Sequence, residues 1–232
     1  VHVHRGKEHW LAALANRLSS DPKPLVRTRH IIHPVRPHPA NRWLYGRATD
    51  VVVTVTEAIR RQYVAARLLP PERCVTIQGG VDLARFHPGV NGAPFRARLG
   101  VPPEVPLVGM VGGLRVMKGH RVVGQAAAML ARQGVRPRFL FVGQGPTEPR
   151  IREAIDAEGL NDQFTLTGFV ADTPEAIAAM DVTLYVPLES DGMSRVVFEY
   201  QAVGRPLVAS RVGVVPEVLT DGREALLVPA GD

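Results

Sequence analysis

Pro106-Leu-Val-Gly-Met-Val111, then Gly112-Gly-Leu-Arg-Val-Met-Lys-Gly119, a helically spaced run from Gly119 to Gln133, and the apolar stretch Phe139-Leu-Phe-Val142 decide the fold. A short apolar strand, a glycine-bearing turn, a helix and a second short strand make one βαβ unit. Such units close right-handed and build a parallel sheet covered on both faces. The alternation continues through helix 149–158, strand 164–167, helix 174–180, strand 182–186, helix 195–203, and strands 206–209 and 225–228. In sheets of this kind ligands sit beyond the carboxyl ends of the strands, where loops open into helices. The loops Val111–Gly119 and Val142–Pro146 and the stretch from Glu189 to Glu199 hold those positions.

Working back towards Val1, the pattern is less regular but of the same kind. Val1-His-Val-His4 reads as the end of a strand, and Trp10, Leu11, Leu14, Ala15 and Leu18 recur at helical spacing after it. The strand-like run Pro24–His30 leads through a Pro-rich loop and a short segment 41–49 to Asp50–Thr56. A helix through Ala58, Ile59 and Tyr63 and a strand Cys74–Gln78 follow. Residues 79–106 are rich in Gly and Pro without sustained periodicity, which reads as a connection. The expected organisation is therefore α/β with two lobes: residues 1–85, a linker 86–105, and residues 106–232.

The 232 residues are 45% hydrophobic with a net charge of +6, a composition that can bury one large core or two modest ones. The charge is uneven: residues 1–100 hold 16 Lys and Arg against 6 Asp and Glu, and residues 101–232 hold 12 against 16. A basic first half suits an anionic partner, and equally a coding bias, since 25 of the cations are arginines. The single cysteine, Cys74, excludes an internal disulfide and reads as a buried strand residue; together with the absence of an apolar run of spanning length, this gives a cytoplasmic expectation.

Chemistry concentrates at the three loops. Lys118 precedes Gly119 at a helix start, where an ammonium and free backbone N–H groups together suit a diphosphate, and Arg115 adds a second cation. A solvated helix start is the plainer reading of that loop taken alone. Gly143-Gln-Gly145 invites a dinucleotide site, but Pro146 interrupts the pattern and no acidic residue closes the next strand, so a nicotinamide site is not read. The third loop, Glu189-Ser-Asp191-Gly-Met-Ser194, opens a helix bearing Glu199. An ionised carboxylate there can accept from both hydroxyls of a ribose, and Asp191 from sugar hydroxyls, although Asp191 is also explained by the helix dipole. His2 and His4 alternate and His30, His33 and His38 cluster, yet no compact ligand spacing for a metal is present. His30, at a strand end, suits a hydrogen bond to a substrate hydroxyl as well as it suits a structural role.

Taken together, these segments resemble the retaining glycosyltransferases of family 4 (glycosyltransferases group 1). The resembling pieces are Val1–His4, Thr28-Arg-His30, Val53–Glu57, Gln78–Phe86, Lys118-Gly-His120, Val142–Pro146, Gly168-Phe169, Gly204-Arg-Pro206, Val215-Pro-Glu217 and above all the carboxylate pair Asp191 and Glu199. The resemblance implies the GT-B architecture, two Rossmann-like lobes with parallel sheets facing a cleft, here with the N-terminal lobe and the C-terminal end both truncated. The first lobe would be the acceptor side and the second the donor side.

It further implies transfer of a sugar from a nucleotide-diphosphate sugar to an acceptor hydroxyl, lipid-linked or belonging to a lipopolysaccharide or polysaccharide. Retention at the anomeric carbon and independence of any metal or other cofactor are implied with it. His30 and Asp191 would be the catalytic residues. Arg115, Lys118, Gly192, Met193, Ser194 and Glu199 would bind the donor, with Glu189, Gly112 and Gly145 as further members of the site. An anionic membrane surface, at its inner face, is an implied partner; a nucleic acid is not. Two departures stand out: Gly113 occupies the family's usual Arg position, leaving Arg115 to substitute, and Asp191 replaces the usual first Glu, with Glu189 two residues earlier. Those departures and the truncation keep two alternatives open, a nucleotide-binding module without turnover and a sugar-nucleotide epimerase of the same architecture.

Overall fold

The computed structural model of the chain describes residues 1–190 and 192–232. They divide into two compact units, residues 1–79 with 192–193 and residues 80–190 with 194–232.

The first unit is a four-stranded parallel sheet in the order β1 (His2–Val3), β2 (Val26–Arg29), β3 (Val51–Thr54), β4 (Cys74–Thr76). Three helices connect the strands: α1 (Gly6–Leu18), α2 (Pro39–Gly46) and α3 (Glu57–Ala65). Local chemistry fixes their starts. Pro39 takes the first turn of α2, and the Thr56 hydroxyl caps α3 by accepting from the Ile59 N–H at 3.3 Å. The core joins Leu25, Leu44, Val52, Ile59 and Tyr63 with buried Cys74, whose thiol burial pushes up to about 11. Helix α1 departs from its sequence pattern: it buries His9 and Ala13, while Leu11, Leu14 and Leu18 face solvent. His9 reaches the Thr49 hydroxyl at 2.7 Å, and Trp10 stacks on Trp43, which sets the packing side of the helix.

The second unit carries a six-stranded sheet, all parallel, in the order β10 (Leu226–Val228), β9 (Leu207–Ser210), β8 (Val182–Tyr185), β5 (Leu107–Val111), β6 (Arg138–Val142), β7 (Phe164–Leu166). Successive strands run outward from β5 to β7, then the chain returns to β8 on the other side of β5. The point between β5 and β8 is thus the topological switch, where such sheets leave room for a ligand. Alternation along β6 separates the two faces. Phe139 and Phe141 pack with helices α5 (His120–Arg132) and α6 (Glu148–Ala157), whereas Leu140 and Val142 pack with α4 (Ala93–Arg98) and α7 (Pro174–Ala178). Helix α8 (Arg195–Val203) and the short α9 (Val215–Val218) cover β8 to β10.

The first compact unit ends at Gly79, and the segment 86–105 packs with the second unit. Phe86 is buried against Val197 and Tyr200, and within α4 Phe95 is buried and the Arg96 guanidinium donates to the Ala179 carbonyl at 3.1 Å and to Asp181 at 3.0 Å. A six-residue helix is too short to show a period among the Gly and Pro residues around it. The segment 41–49, for its part, overlaps helix α2, Pro39–Gly46. Among the described residues no helix is long and apolar enough to cross a membrane.

Candidate functional site

In the second unit the glycine loops after β5 and β6 are laced together. Gly112 N–H donates to the Val142 carbonyl at 2.9 Å and Leu114 N–H to the Gln144 carbonyl at 3.1 Å. A Cβ on Gly145 would sit 2.2 Å from the Leu114 carbonyl oxygen, so the two loops approach closer than any side chain allows. Arg115, exposed, then leads into a single 3-10 turn, Val116–Lys118. Gly119 ends the turn with φ +80°, and a Cβ there would meet the Val186 carbonyl oxygen at 2.0 Å. That approach holds the turn against the end of β8, beside the switch point, and Leu188 N–H donates to the Met117 carbonyl at 2.8 Å. Lys118 is consequently half-buried, its Nζ 6.0 Å from the centre of the Tyr185 ring. Immediately behind it, His120 opens α5 and is buried edge-on against Phe141, which lowers its pKa to about 4.

Helix α8 begins at Arg195 with Ser194 as its N-cap, and the Ser194 hydroxyl makes no capping bond. Its first-turn N–H groups are therefore the unsatisfied donors that a helix start presents to an anion. Glu199 stands in the second turn, half-buried. Burial raises its pKa above the usual carboxylate value, with Arg195 and Arg85 opposing. Among the described residues none hydrogen-bonds to the Glu199 carboxylate, which leaves its half-buried oxygens open to water or to a ligand's donors.

The next residue, Tyr200, ties this helix to the end of β5, where the loop bearing Lys118 begins. Its hydroxyl accepts from the Val111 N–H at 2.7 Å, while the ring is fully buried. A buried Tyr normally finds a partner for its hydroxyl, and here that partner is the backbone at the end of β5.

The remaining expected residues lie elsewhere. His30 follows β2 in the first unit, exposed, with its Nε2 3.1 Å from the Nδ1 of His4. Partial burial lowers its pKa, and His4, Arg27 and His2 add to the effect. His2 bonds the Thr28 hydroxyl at 2.7 Å, and its ring lies 4.5 Å from that of His4, so two hydrogen-bonded pairs stand side by side, a use of His4 that the sequence reading did not anticipate. Among the described residues no group of three His, Cys, Asp or Glu is arranged to hold a metal ion. Gly192 belongs to the same unit; its φ is +73° and a Cβ would lie 2.4 Å from the His30 carbonyl oxygen. Met193 packs on the core of that unit. Asp191 lies outside the described residues, and Glu189 is exposed four residues past β8. The structure thus collects Gly112, Arg115, Lys118, Gly145, Ser194 and Glu199 in the second unit, and His30, Gly192 and Met193 in the first.

Comparison with known proteins adds a family to this geometry. The profile of "Glycosyl transferases group 1" matches residues 105–232, and that of "Glycosyltransferase Family 4" matches residues 1–85. A D-inositol 3-phosphate glycosyltransferase of Acidothermus cellulolyticus is 32% identical across 100% of this chain and 56% of its own length. A 2-deoxystreptamine N-acetyl-D-glucosaminyltransferase of Streptomyces fradiae is 31% identical across 100% of this chain and 59% of its own. The chain therefore spans little more than half the length of these relatives. Among solved structures, Anabaena Alr3699/HepE in complex with UDP superposes with a TM-score of 0.86 at 22% identity, covering 100% of this chain and 65% of that one. A sucrose-phosphate synthase of Thermosynechococcus elongatus gives 0.80 at 20% identity, covering 100% and 60%. These structural likenesses carry the fold, two parallel α/β units of the GT-B kind.

Proposed function

The chain belongs to the group 1 glycosyltransferases, and from that membership we propose that its protein moves a sugar from a nucleotide-diphosphate sugar to an acceptor hydroxyl with retention at the anomeric carbon. The observation that carries the reading is Glu199, a half-buried carboxylate to which no described residue hydrogen-bonds, held by Tyr200 beside the loop bearing Lys118 and Arg115. A ribose supplies two adjacent hydroxyl donors, which is what such a carboxylate lacks.

The chemistry follows from where charge develops. As the bond from the anomeric carbon to the diphosphate breaks, negative charge grows on the leaving oxygens. Lys118, Arg115 and the open first turn of α8 are cationic or donor groups fixed before the reaction, so they stabilise that charge without reorganising. Retention follows if the acceptor attacks on the face the diphosphate leaves, with the leaving phosphate taking the acceptor's proton. His30, Asp191 and the amides of Gly192 to Ser194 are assigned to the transferring sugar, and Glu189 to the gap that a shorter Asp191 leaves. The named relatives act on inositol phosphate and on 2-deoxystreptamine, which supports a hydroxyl-rich acceptor; a lipid-linked or polysaccharide acceptor is the broader form of that proposal. The excess of Lys and Arg in residues 1–100 supports contact with an anionic membrane face, a contact that added salt should weaken.

A second reading rests on Gly113. A Cβ there would meet nothing nearer than 3.8 Å, so the backbone does not itself demand glycine, and a site short of one cation suits nucleotide binding without turnover. Transfer assays on the protein that carries this chain separate the two. Under the first reading Lys118→Ala and Glu199→Ala each lower transfer by two or more orders of magnitude, and retained activity in both rules it out. Nucleotide binding with no transfer to any acceptor favours the second.

A further inference from the structure

The loop that carries Lys118 and the first turns of α5 and α6 line a half-open cavity of about 690 Å³, within the roughly 300–1,000 Å³ of small-molecule sites. Its floor is apolar: Val116, Val122, Ile151, Ala154 and Leu188. Val116 among them is 68% exposed. Three guanidinium groups, Arg115, Arg121 and Arg150, line the same cavity, with Glu153 as the opposing charge. Among the described residues none of the three arginines has an ion-pair or hydrogen-bond partner, although Arg85, Arg96, Arg98, Arg132, Arg152 and Arg211 in the same unit all do.

Two further polar residues, His120 and Thr147, line the cavity. His120 is 3% exposed, and neither of its ring nitrogens makes a well-formed hydrogen bond to a described residue. The Thr147 hydroxyl, at the N-cap of α6, is buried and unbonded as well. The cavity therefore sits between two helix starts, of α5 and α6, whose N–H groups favour an anion.

We propose that this cavity binds a phosphate-bearing amphiphile, its phosphate clasped by Arg115, Arg121 and Arg150 and its apolar body laid on Val116, Val122, Ile151, Ala154 and Leu188. Guanidinium forks match phosphate oxygens in pairs, whereas an uncharged apolar ligand leaves all three cations unanswered. Arg115 and Val116 belong to the turn that ends in Lys118, so occupancy and the position of Lys118 are coupled, and the amphiphile acts as an effector of whatever that lysine holds. The cavity shares Arg115 with the residues assigned to the nucleotide, whereas Arg121 and Arg150 belong to it alone, and binding there is measurable without turnover.

The test is calorimetric titration of the chain with octyl phosphate below its micellar concentration, alongside octanol and inorganic phosphate. Saturable one-to-one binding at least tenfold tighter than either partial probe is expected. Arg121→Glu with Arg150→Glu should weaken it at least tenfold, and Ala154→Trp, which fills the floor, should abolish it while melting near the parent temperature. Binding no tighter than that of octanol, or unchanged by the double charge reversal, overturns the proposal. So does retention on phosphatidic acid vesicles without saturable binding of the monomeric probe, which would assign a membrane surface instead. Should the charge-reversed chain fail to fold, Arg121→Gln with Arg150→Gln provides the same comparison.

Discussion

Glu199 carries opposite consequences for stability and for binding. Its folded-state pKa is raised by burial, so the folded chain holds the proton more tightly than the unfolded one. Stability therefore falls as pH rises from the ordinary carboxylate value through the raised one. Glu199→Gln removes that cost, and the variant should unfold in urea at pH 7 no more easily than the parent. The same change deprives ribose hydroxyls of a charged acceptor, so nucleotide-diphosphate affinity should drop by about 1.5–3 kcal/mol, roughly ten- to a hundredfold. A variant destabilised at pH 7 with unchanged nucleotide affinity would make Glu199 a structural carboxylate. Glu199 stood out in the sequence because an acid flanked by apolar residues one turn into a helix needs an explanation beyond the dipole. The role of Tyr200 did not, since a hydroxyl's partner eighty-nine positions away leaves no local pattern.

Among the elements, the pair of β5 and α8 decides whether the site is held in shape. The Val111 N–H lies at the end of β5, one residue before the loop of Gly112 to Lys118, and its acceptor is the Tyr200 hydroxyl on α8. Tyr200→Phe keeps the buried ring and removes only that bond, at a cost of about 1–3 kcal/mol. We expect a lower melting temperature and weaker nucleotide binding from a residue assigned no contact with the ligand. Intact affinity in a destabilised variant would show that the tether is structural only. The strands and long helices of the second unit were readable because apolar periods survive in five to thirteen residues. Helix α4 was hidden for the converse reason, six residues between Gly and Pro, and α1 misled because its leucines are exposed while a histidine is buried.

On the scale of the whole molecule, each unit buries a neutral histidine, and this sets its tolerance of acid. His9 in the first unit and His120 in the second are both lowered to about 4 by burial, with Arg27 and Lys118 adding to the effect. Above the unfolded value near 6.5 neither state is protonated. Below it the unfolded chain takes up protons first, so stability drains away as pH falls towards 4, by about 3 kcal/mol for each histidine. Urea unfolding at pH 7.5 and 4.5 should show the loss, and His9→Gln should flatten the part belonging to the first unit; an unaltered slope would contradict the assignment.

The second unit is also where the account of function stands or falls. Titration of the chain with UDP, compared with Lys118→Ala and Glu199→Ala, tests it most directly. Saturable binding weakened at least tenfold by each change is the predicted result, and equal affinity in all three proteins would contradict it.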